Sequence, residues 1–283
     1  MTTAIVVTYD SAAWIRACFA ALADIPTIAI DNASRDNTVA IVRSQFPAVR
    51  VIARPDNGGF AVAVNEGCRT APNDDVLLVN PDLVVRPGSV GLLQEYLAAH
   101  PRVGIAVPRL VYPDGTLQTS IRTWPSPLTM LARRSSFGRT AVGRRILARH
   151  FYLDDPPLSA GPVHNAIGAA MLVRRAAIRA VGPMDERIFL YGEDLDWCYR
   201  MWQRGWEVHV VPDAVMEHAY ERQSRRTLDL RSAATRHHWA SILKLFVIHP
   251  SLLIGRGPRR AHEAVERHRG EADRAGADRA ARQ

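Results

Sequence analysis

Along residues 1–100 the apolar positions fall into short unbroken runs, with longer helical patterns between them. The runs are AIVVT (4–8), TIAID (27–31), VRVIA (49–53) and DVLLVN (75–80). Apolar runs that do not alternate predict strands buried on both faces, as in a parallel sheet covered by helices. Residues 12–23 carry a helical pattern, DNAS caps a helix running to Phe46, and NGGFAVAVNEGCRTA (57–71) reads as a loop opening a helix. The fold class is therefore α/β, a doubly wound, mostly parallel sheet of Rossmann-like type. Its ligand is expected beyond the C-terminal ends of the strands.

Polar residues collect at those ends. Thr8 and Tyr9 close the first strand, Asp31 and Asn32 the second, Asn57 follows the third, and Asn80, Pro81 and Asp82 close the fourth. Any one of these is ordinary; four along one edge mark a site. After Pro101 the pattern changes: residues 104–120 read as a strand and a hairpin around Pro113-Asp114-Gly115. Residues 122–160 are weakly patterned and read as a mobile insertion. GAAMLVR (168–174) is a strand, AAIRAVG (176–182) a short helix, WEVHVVP and AVMEH (206–218) two strands, and 229–248 a helix.

Composition narrows the classes. A chain that is 47% hydrophobic and 23% charged suits a soluble globule with a real core. The N-terminus has no basic n-region, and no apolar run reaches the roughly 18 residues a spanning helix needs, so a cytoplasmic location is expected. Cys18, Cys68 and Cys198 lack metal-binding spacing and read as small core residues. The net charge of +8 invites a nucleic-acid partner, yet no motif for one accompanies it, and Lys244 is the single lysine. No nucleic acid is expected. The arginines concentrate between Asp114 and Asp154, a stretch without one acid, which suits phosphates, an anionic membrane surface or a solvated loop.

Among candidate residues, the stretch LYGEDLDW puts Glu193, Asp194 and Asp196 within four positions, flanked by Tyr191 and Trp197. Such a cluster is either a helix N-terminus complementing the dipole or a catalytic base beside a substrate. Asp82 is either a loop cap or a ligand for a hard cation, and His218 either a satisfied histidine or its companion ligand. Asp31 either caps the next helix or accepts a hydrogen bond from a nucleobase. Gly58 and Gly59 allow close backbone approach before a helix start, and Asn65 lies two turns beyond Asn57.

Taken in order, TYDSAAW, DNASRDNT, NGGFAVAVN, LLVNPD, GAAMLVRR, FLYGEDLDWCYR and the final EH resemble the family-two inverting glycosyltransferases of the GT-A fold. The resemblance spans about residues 3–220 and is strongest to the bacterial rhamnosyltransferase-like branch. It implies that Asp31 reads the nucleobase and that Thr8, Tyr9, Asn57, Gly58, Gly59, Asn65 and Asn80 line the donor site. The family's DXD motif is Asn80-Pro81-Asp82 here, so Asp82 alone carries over as a ligand for Mg2+ or Mn2+, with His218 completing metal or diphosphate binding. The family's Glu-Asp pair makes Asp194 the base, with Glu193, Gly168 and Tyr191 toward the acceptor.

The implied function is hexosyl transfer in cell-envelope polysaccharide synthesis. The first expected donor is dTDP-rhamnose, and the acceptor is a saccharide that could be lipid-linked. A UDP-hexose with a soluble acceptor and a non-catalytic nucleotide-sugar scaffold are the alternatives. Residues 1–100 would be the nucleotide-binding half and 101–220 the acceptor half. Residues 221–254 would form a helical region, and 255–283 a frayed helix or disordered tail. Trp239, Leu243, Phe246, Val247 and Ile248 lie on a helical pattern that suits either core docking or peripheral contact with the inner membrane face. A homodimer is compatible with all of this. A nucleotidyltransferase, an aspartyl phosphohydrolase and a dinucleotide oxidoreductase are excluded: TYDSAAW is no Gly-rich basic loop, Thr8-Tyr9 replaces an acid pair, and GxGxxG is absent.

Overall fold

The computed structural model describes residues 1–71, 73–189, 191–219 and 233–280. Residues 220–232, which hold the first part of the expected C-terminal helix, and Leu190 of the acidic motif lie outside the described residues. The N-terminal half alternates as its pattern predicts. Strands β1 (Thr2–Thr8), β2 (Thr27–Asp31), β3 (Arg50–Ala53) and β4 (Asp75–Val79) are parallel neighbours in the order β3-β2-β1-β4. Helices α1 (Ile15–Ala21), α2 (Thr38–Gln45) and α3 (Phe60–Thr70) connect them. β1 and β2 are buried at every position, which is why neither shows alternation.

Strand β5 (Leu83–Val85), helix α4 (Ser89–Ala99) and strand β6 (Val103–Val111) follow, then the short β7 (Ile121–Arg122). The segment expected to be mobile is instead folded: helix α5 (Pro127–Arg134), a 3-10 turn and helix α6 (Ala141–His150) fill it. Ser126 caps α5 by accepting from the Thr129 N–H with Pro127 at the first turn, and Thr140 caps α6 through the Gly143 N–H. Met130, Ala132 and His150 are buried, so the weak pattern conceals a narrow apolar stripe.

The remaining strands are β8 (Gly161–Pro162), β9 (Asn165–Ala166), β10 (Ala170–Val173) and β11 (Glu207–His218), with helices α7 (Arg175–Val181) and α8 (Glu193–Gln203) between the last two. β10 enters the main sheet antiparallel to β4 and β6, and the sheet order continues β4-β10-β6-β11-β5. The two strands expected over 206–218 are one strand with a register shift between Val211 and Val215, where Asp213 bulges outward. β7 and β9 form a separate two-stranded ribbon.

Two layers of core sandwich the sheet, one beneath α3, α7 and α8 and one beneath α1, α2 and α4. Cys18, Cys68 and Cys198 are buried free thiols within them. Helix α9 (Ala233–Ile248), a 3-10 turn (Pro250–Ile254) and helix α10 (Arg259–Ala280) complete the chain. Of the two expectations for the charged stretch after Gly255, the helix is what Arg259–Ala280 adopts. Ala261 and Val265 are buried, His262 stacks on His164, and Arg269 pairs with Asp155 at 3.2 Å. Small residues at helical spacing suffice for a shallow groove, which explains why hydropathy alone missed it.

Candidate active site

The register of β1 on β2 sets Thr8 beside Asp31, so two side chains meet where both strands end. The Thr8 hydroxyl donates to Asp31 Oδ1 at 2.8 Å, the Ser34 N–H donates to Oδ2 at 2.9 Å, and the Ser34 hydroxyl donates to Oδ1. These three donors fix the buried carboxylate, and about four acceptor positions exist on such a group. One position remains for an incoming N–H.

The glycine loop closes on the same edge. Asn57 Oδ1 accepts from the Gly59 N–H at 3.0 Å, and the Asn32 amide donates to the Gly59 carbonyl at 3.2 Å. Gly59 has φ 91, and a Cβ there would lie 2.6 Å from the Phe189 carbonyl oxygen. Only glycine meets both conditions. Gly58 lies beside the Arg54 guanidinium, which is paired with Glu66. Tyr9 is exposed at the rim. Asn32, expected at the polar strand ends but without a role of its own, has a buried Oδ1 with no hydrogen-bond partner, so it joins the candidate set.

Asn65 stands apart. It is buried, donates to the Met184 carbonyl and to Glu186 at 2.9 Å each, and accepts from the Met184 N–H at 2.9 Å. Its amide ties α3 to the loop before α8 and is consumed there rather than facing the strand ends.

A chain of close contacts joins β4 to the acidic motif. The Asn80 N–H donates to the Ala169 carbonyl at 2.8 Å, and the Gly168 N–H donates to Asp194 Oδ2 at 3.0 Å. A Cβ on Gly168 would lie 3.4 Å from both Asp194 Cβ and the Phe60 ring. Gly168 therefore holds the carboxylate of Asp194 directly. The turn into α8 is strained: Tyr191 has φ 66 and Gly192 φ 111. For a tyrosine this left-handed conformation is uncommon and costs on the order of 1 kcal/mol or more.

The three acids occupy different environments. Asp194 is half-buried, with Oδ1 taking the Leu195 N–H at 2.7 Å and Oδ2 the Gly168 N–H. Glu193 is buried with Oε2 unpartnered, and burial, then the neighbouring Asp194 charge, pushes its carboxyl well above the ordinary range. Asp196 is fully buried; Arg200 Nε donates to its Oδ2 at 2.8 Å and His249 Nε2 lies 2.8 Å from its Oδ1. A carboxyl that already holds its proton has no site for another, and of the three acids Asp194 alone is not fully enclosed.

Asp82 and His218 also meet. β11 runs antiparallel to β5 with His218 opposite Leu83, which brings His218 Nε2 to 3.2 Å from Asp82 Oδ1. His218 Nδ1 lies 2.6 Å from Gln118 Oε1. An amide oxygen only accepts, so Nδ1 carries the proton and Nε2 is the ring atom that faces Asp82. A carboxylate and an imidazole nitrogen at this distance are a pair that a cation could share, and a fixed second nitrogen is how protein ligands are oriented. Among the described residues no group of three His, Cys, Asp or Glu side chains could hold a metal ion. The pair supplies two ligands, and a donor's diphosphate and water would have to supply the others. No local signal marks Gln118, whose role arises only from strand pairing.

Comparison with known proteins gives the family. Residues 3–182 match the family model Glycosyl transferase family 2. The chain is 30% identical over 234 residues to the N-acetylglucosaminyl-diphospho-decaprenol L-rhamnosyltransferase of Mycobacterium tuberculosis, covering 78% of this chain and 74% of that protein. A 53-residue stretch, 19% of this chain and 18% of the relative, is 38% identical to the dTDP-rhamnosyl transferase RfbF of Shigella flexneri. Among solved structures, GalNAc-T7 with UDP, GalNAc and Mn2+ superposes with a TM-score of 0.63 at 13% identity, covering 87% of this chain and 48% of that one. The S. aureus TarS 1-349 complex with UDP gives 0.52 at 14% identity, covering 88% and 73%. With a family match over most of its sheet and helices, the chain belongs to glycosyl transferase family 2 and is a glycosyltransferase.

Proposed function

We propose that the protein transfers rhamnose from dTDP-rhamnose, with inversion, to a lipid-linked saccharide diphosphate in cell-envelope polysaccharide synthesis. The observation that carries the reading is the placement of Asp194 against Gly168, one residue from the Ala169–Asn80 bond that leads to Asp82. A base and a diphosphate site thus share one strand end. The similarity to two rhamnosyltransferases favours the donor, and the decaprenol-linked acceptor in one of their names favours the acceptor class.

In this mechanism the acceptor hydroxyl attacks the anomeric carbon as Asp194 takes its proton. The C–O bond to the acceptor forms while the bond to the diphosphate breaks, and the nucleoside diphosphate leaves with the electron pair. Asp31 accepts from the base, Thr8 and Ser34 hold Asp31, and the Asn57–Gly59 loop lets the backbone approach the nucleotide. Asp82 and His218 would hold Mg2+ or Mn2+, which when bound offsets the charge of the leaving diphosphate. Tyr191 and Glu193 flank the base on the acceptor side.

Asp82→Ala and His218→Ala are each expected to weaken Mn2+-dependent donor binding on the order of tenfold or more. Titration of dTDP-rhamnose with and without Mn2+ measures it, and full activity in excess chelator would remove the metal from both residues.

The membrane side follows from charge and exposure. No helix among the described residues is long and apolar enough to cross a membrane. Of the five apolar residues on the α9 pattern, Leu243 and Val247 are 64% and 78% exposed, whereas Trp239, Phe246 and Ile248 are partly covered. Leu128 and Leu131 on α5 and Leu253 and Ile254 in the turn after α9 are also exposed, and Gly255 packs on Ser126 at the start of α5. Beside them stand the arginines of α5 and α6, a combination that suits an anionic lipid interface.

The test is transfer from dTDP-rhamnose to a diphospholipid-linked N-acetylglucosamine in vesicles. Turnover should be faster with anionic than neutral lipid and should fall with salt. Turnover only with UDP-hexoses and a water-soluble acceptor would replace donor and acceptor together.

A further inference from the structure

We infer that the C-terminal segment from Lys244 to Ser251 is a positioning device for the catalytic turn, with Leu245 and His249 its principal residues. The inference rests on Asp194 being the base, as proposed above. Four residues of the segment make contacts in order. Lys244 Nζ donates to the Arg187 carbonyl at 2.6 Å, on the loop that leads into the turn. Leu245, itself buried, lies against Gly192: a Cβ on that glycine would sit 2.5 Å from Leu245 Cδ1. His249 Nε2 lies 2.8 Å from Asp196 Oδ1 and its ring stacks on Tyr199, with centroids 3.9 Å apart and 28° between planes. The Tyr199 hydroxyl then pairs with the Ser251 hydroxyl at 2.7 Å.

These contacts fall on the loop, the left-handed residue, the first turn and the second turn of α8, in that order. They bracket Glu193 and Asp194 without touching Asp194. The bracket matters because the turn is strained. Tyr191 has positive φ, which a tyrosine keeps only where its surroundings over-determine it, whereas Gly192 adopts its own positive φ freely. On the sheet side a single N–H, from Gly168, holds the Asp194 carboxylate. The outer side is held by α9. Asp196 explains the third acid of the motif: it is the anchor for this bracket, fully buried and bonded to Arg200 on its own helix and to His249 on the C-terminal segment.

Catalysis depends on the base lying within hydrogen-bond reach of the acceptor hydroxyl, and displacements near 1 Å cost up to about 10²-fold. His249→Ala and Leu245→Ala are therefore expected to lower kcat on the order of tenfold each while leaving donor affinity unchanged. The donor side is built from β1 to β4, none of whose residues is bonded to this segment in the contacts above. His249→Gln, whose amide can still donate to Asp196, should recover most of the loss.

The experiment uses the full chain and has two arms. Steady-state kinetics with dTDP-rhamnose separate kcat from the donor KM. Amide hydrogen exchange, which needs no donor, follows peptides spanning Tyr191–Asp196 against peptides from β1 and β4. Faster exchange confined to the turn, with kcat reduced and rescued by Gln, is the expected result. Unchanged exchange at the turn, or equal loosening of β1 and β4, overturns the device and leaves an ordinary core contact. A wild-type enzyme inert toward dTDP-rhamnose but with turn-specific exchange in the variants would instead sink the donor reading alone.

Discussion

Asp194→Asn should lower kcat on the order of 10²-fold or more while changing donor affinity less than about twofold. Asparagine keeps the shape, and its Oδ1 can still accept from the Gly168 N–H that holds Asp194 at 3.0 Å. What it loses is the capacity to take a proton, which matters only as the acceptor attacks. The neighbouring acids cannot replace it. Glu193 already favours its protonated form through burial and the Asp194 charge, and both Asp196 oxygens are engaged. Calorimetric donor titration beside turnover measures the two effects separately. A parallel fall in donor affinity would move Asp194 into the binding site and leave the base unidentified.

The largest stability effect is expected at Asp196. Asp196→Ala removes the carboxylate between Arg200 and His249, each at 2.8 Å, from a fully buried position. Removing one partner of a buried ionic cluster typically costs about 3–5 kcal/mol, because the other charge stays buried without compensation. Arg200 keeps bonds to the Val181 and Pro183 carbonyls, which places the expectation at the lower end of that range. Urea unfolding should show the midpoint falling with an unchanged slope. A loss below about 1 kcal/mol would mean the cluster contributes little and that α8 is held by its apolar face alone.

Much of the architecture of the first hundred residues is legible in the sequence. Each of β1 to β4 is an apolar run ending in a polar group, and parallel pairing aligns those ends, so Thr8, Asp31 and the Asn57–Gly59 loop come together by register alone. The chain after Pro101 is less legible because its information is non-local. An apolar run carries no direction, so nothing in GAAMLVR indicates that β10 lies antiparallel to both neighbours. His218 reaches Asp82 only because β11 pairs with β5, and Gln118 supports it across 100 residues of chain. The caps of α5 and α6, Ser126-Pro127 and Thr140, are local signals, but the segment's weak apolar pattern gives no helix for them to open.

Asp196 illustrates the same limit from the other side. An acid at this position could cap the helix, bind the acceptor or pair with arginine, and Arg200 four residues on is such a partner. The second partner, His249, lies 53 residues away, and only the folded chain pairs them. If Asp194 acts as proposed, the C-terminal region belongs to the catalytic architecture. A truncation after Tyr220, which keeps the family match over residues 3–182, removes Leu245 and His249 from the turn before Asp194.

The most direct test of the central claim is the anomeric configuration of the product, read by NMR from wild-type enzyme turning over dTDP-rhamnose. A single displacement with Asp194 as base predicts that the new linkage has the configuration opposite to that of the donor. A product that retains the donor's configuration would contradict it, since two displacements need a nucleophile on the enzyme and a different role for Asp194.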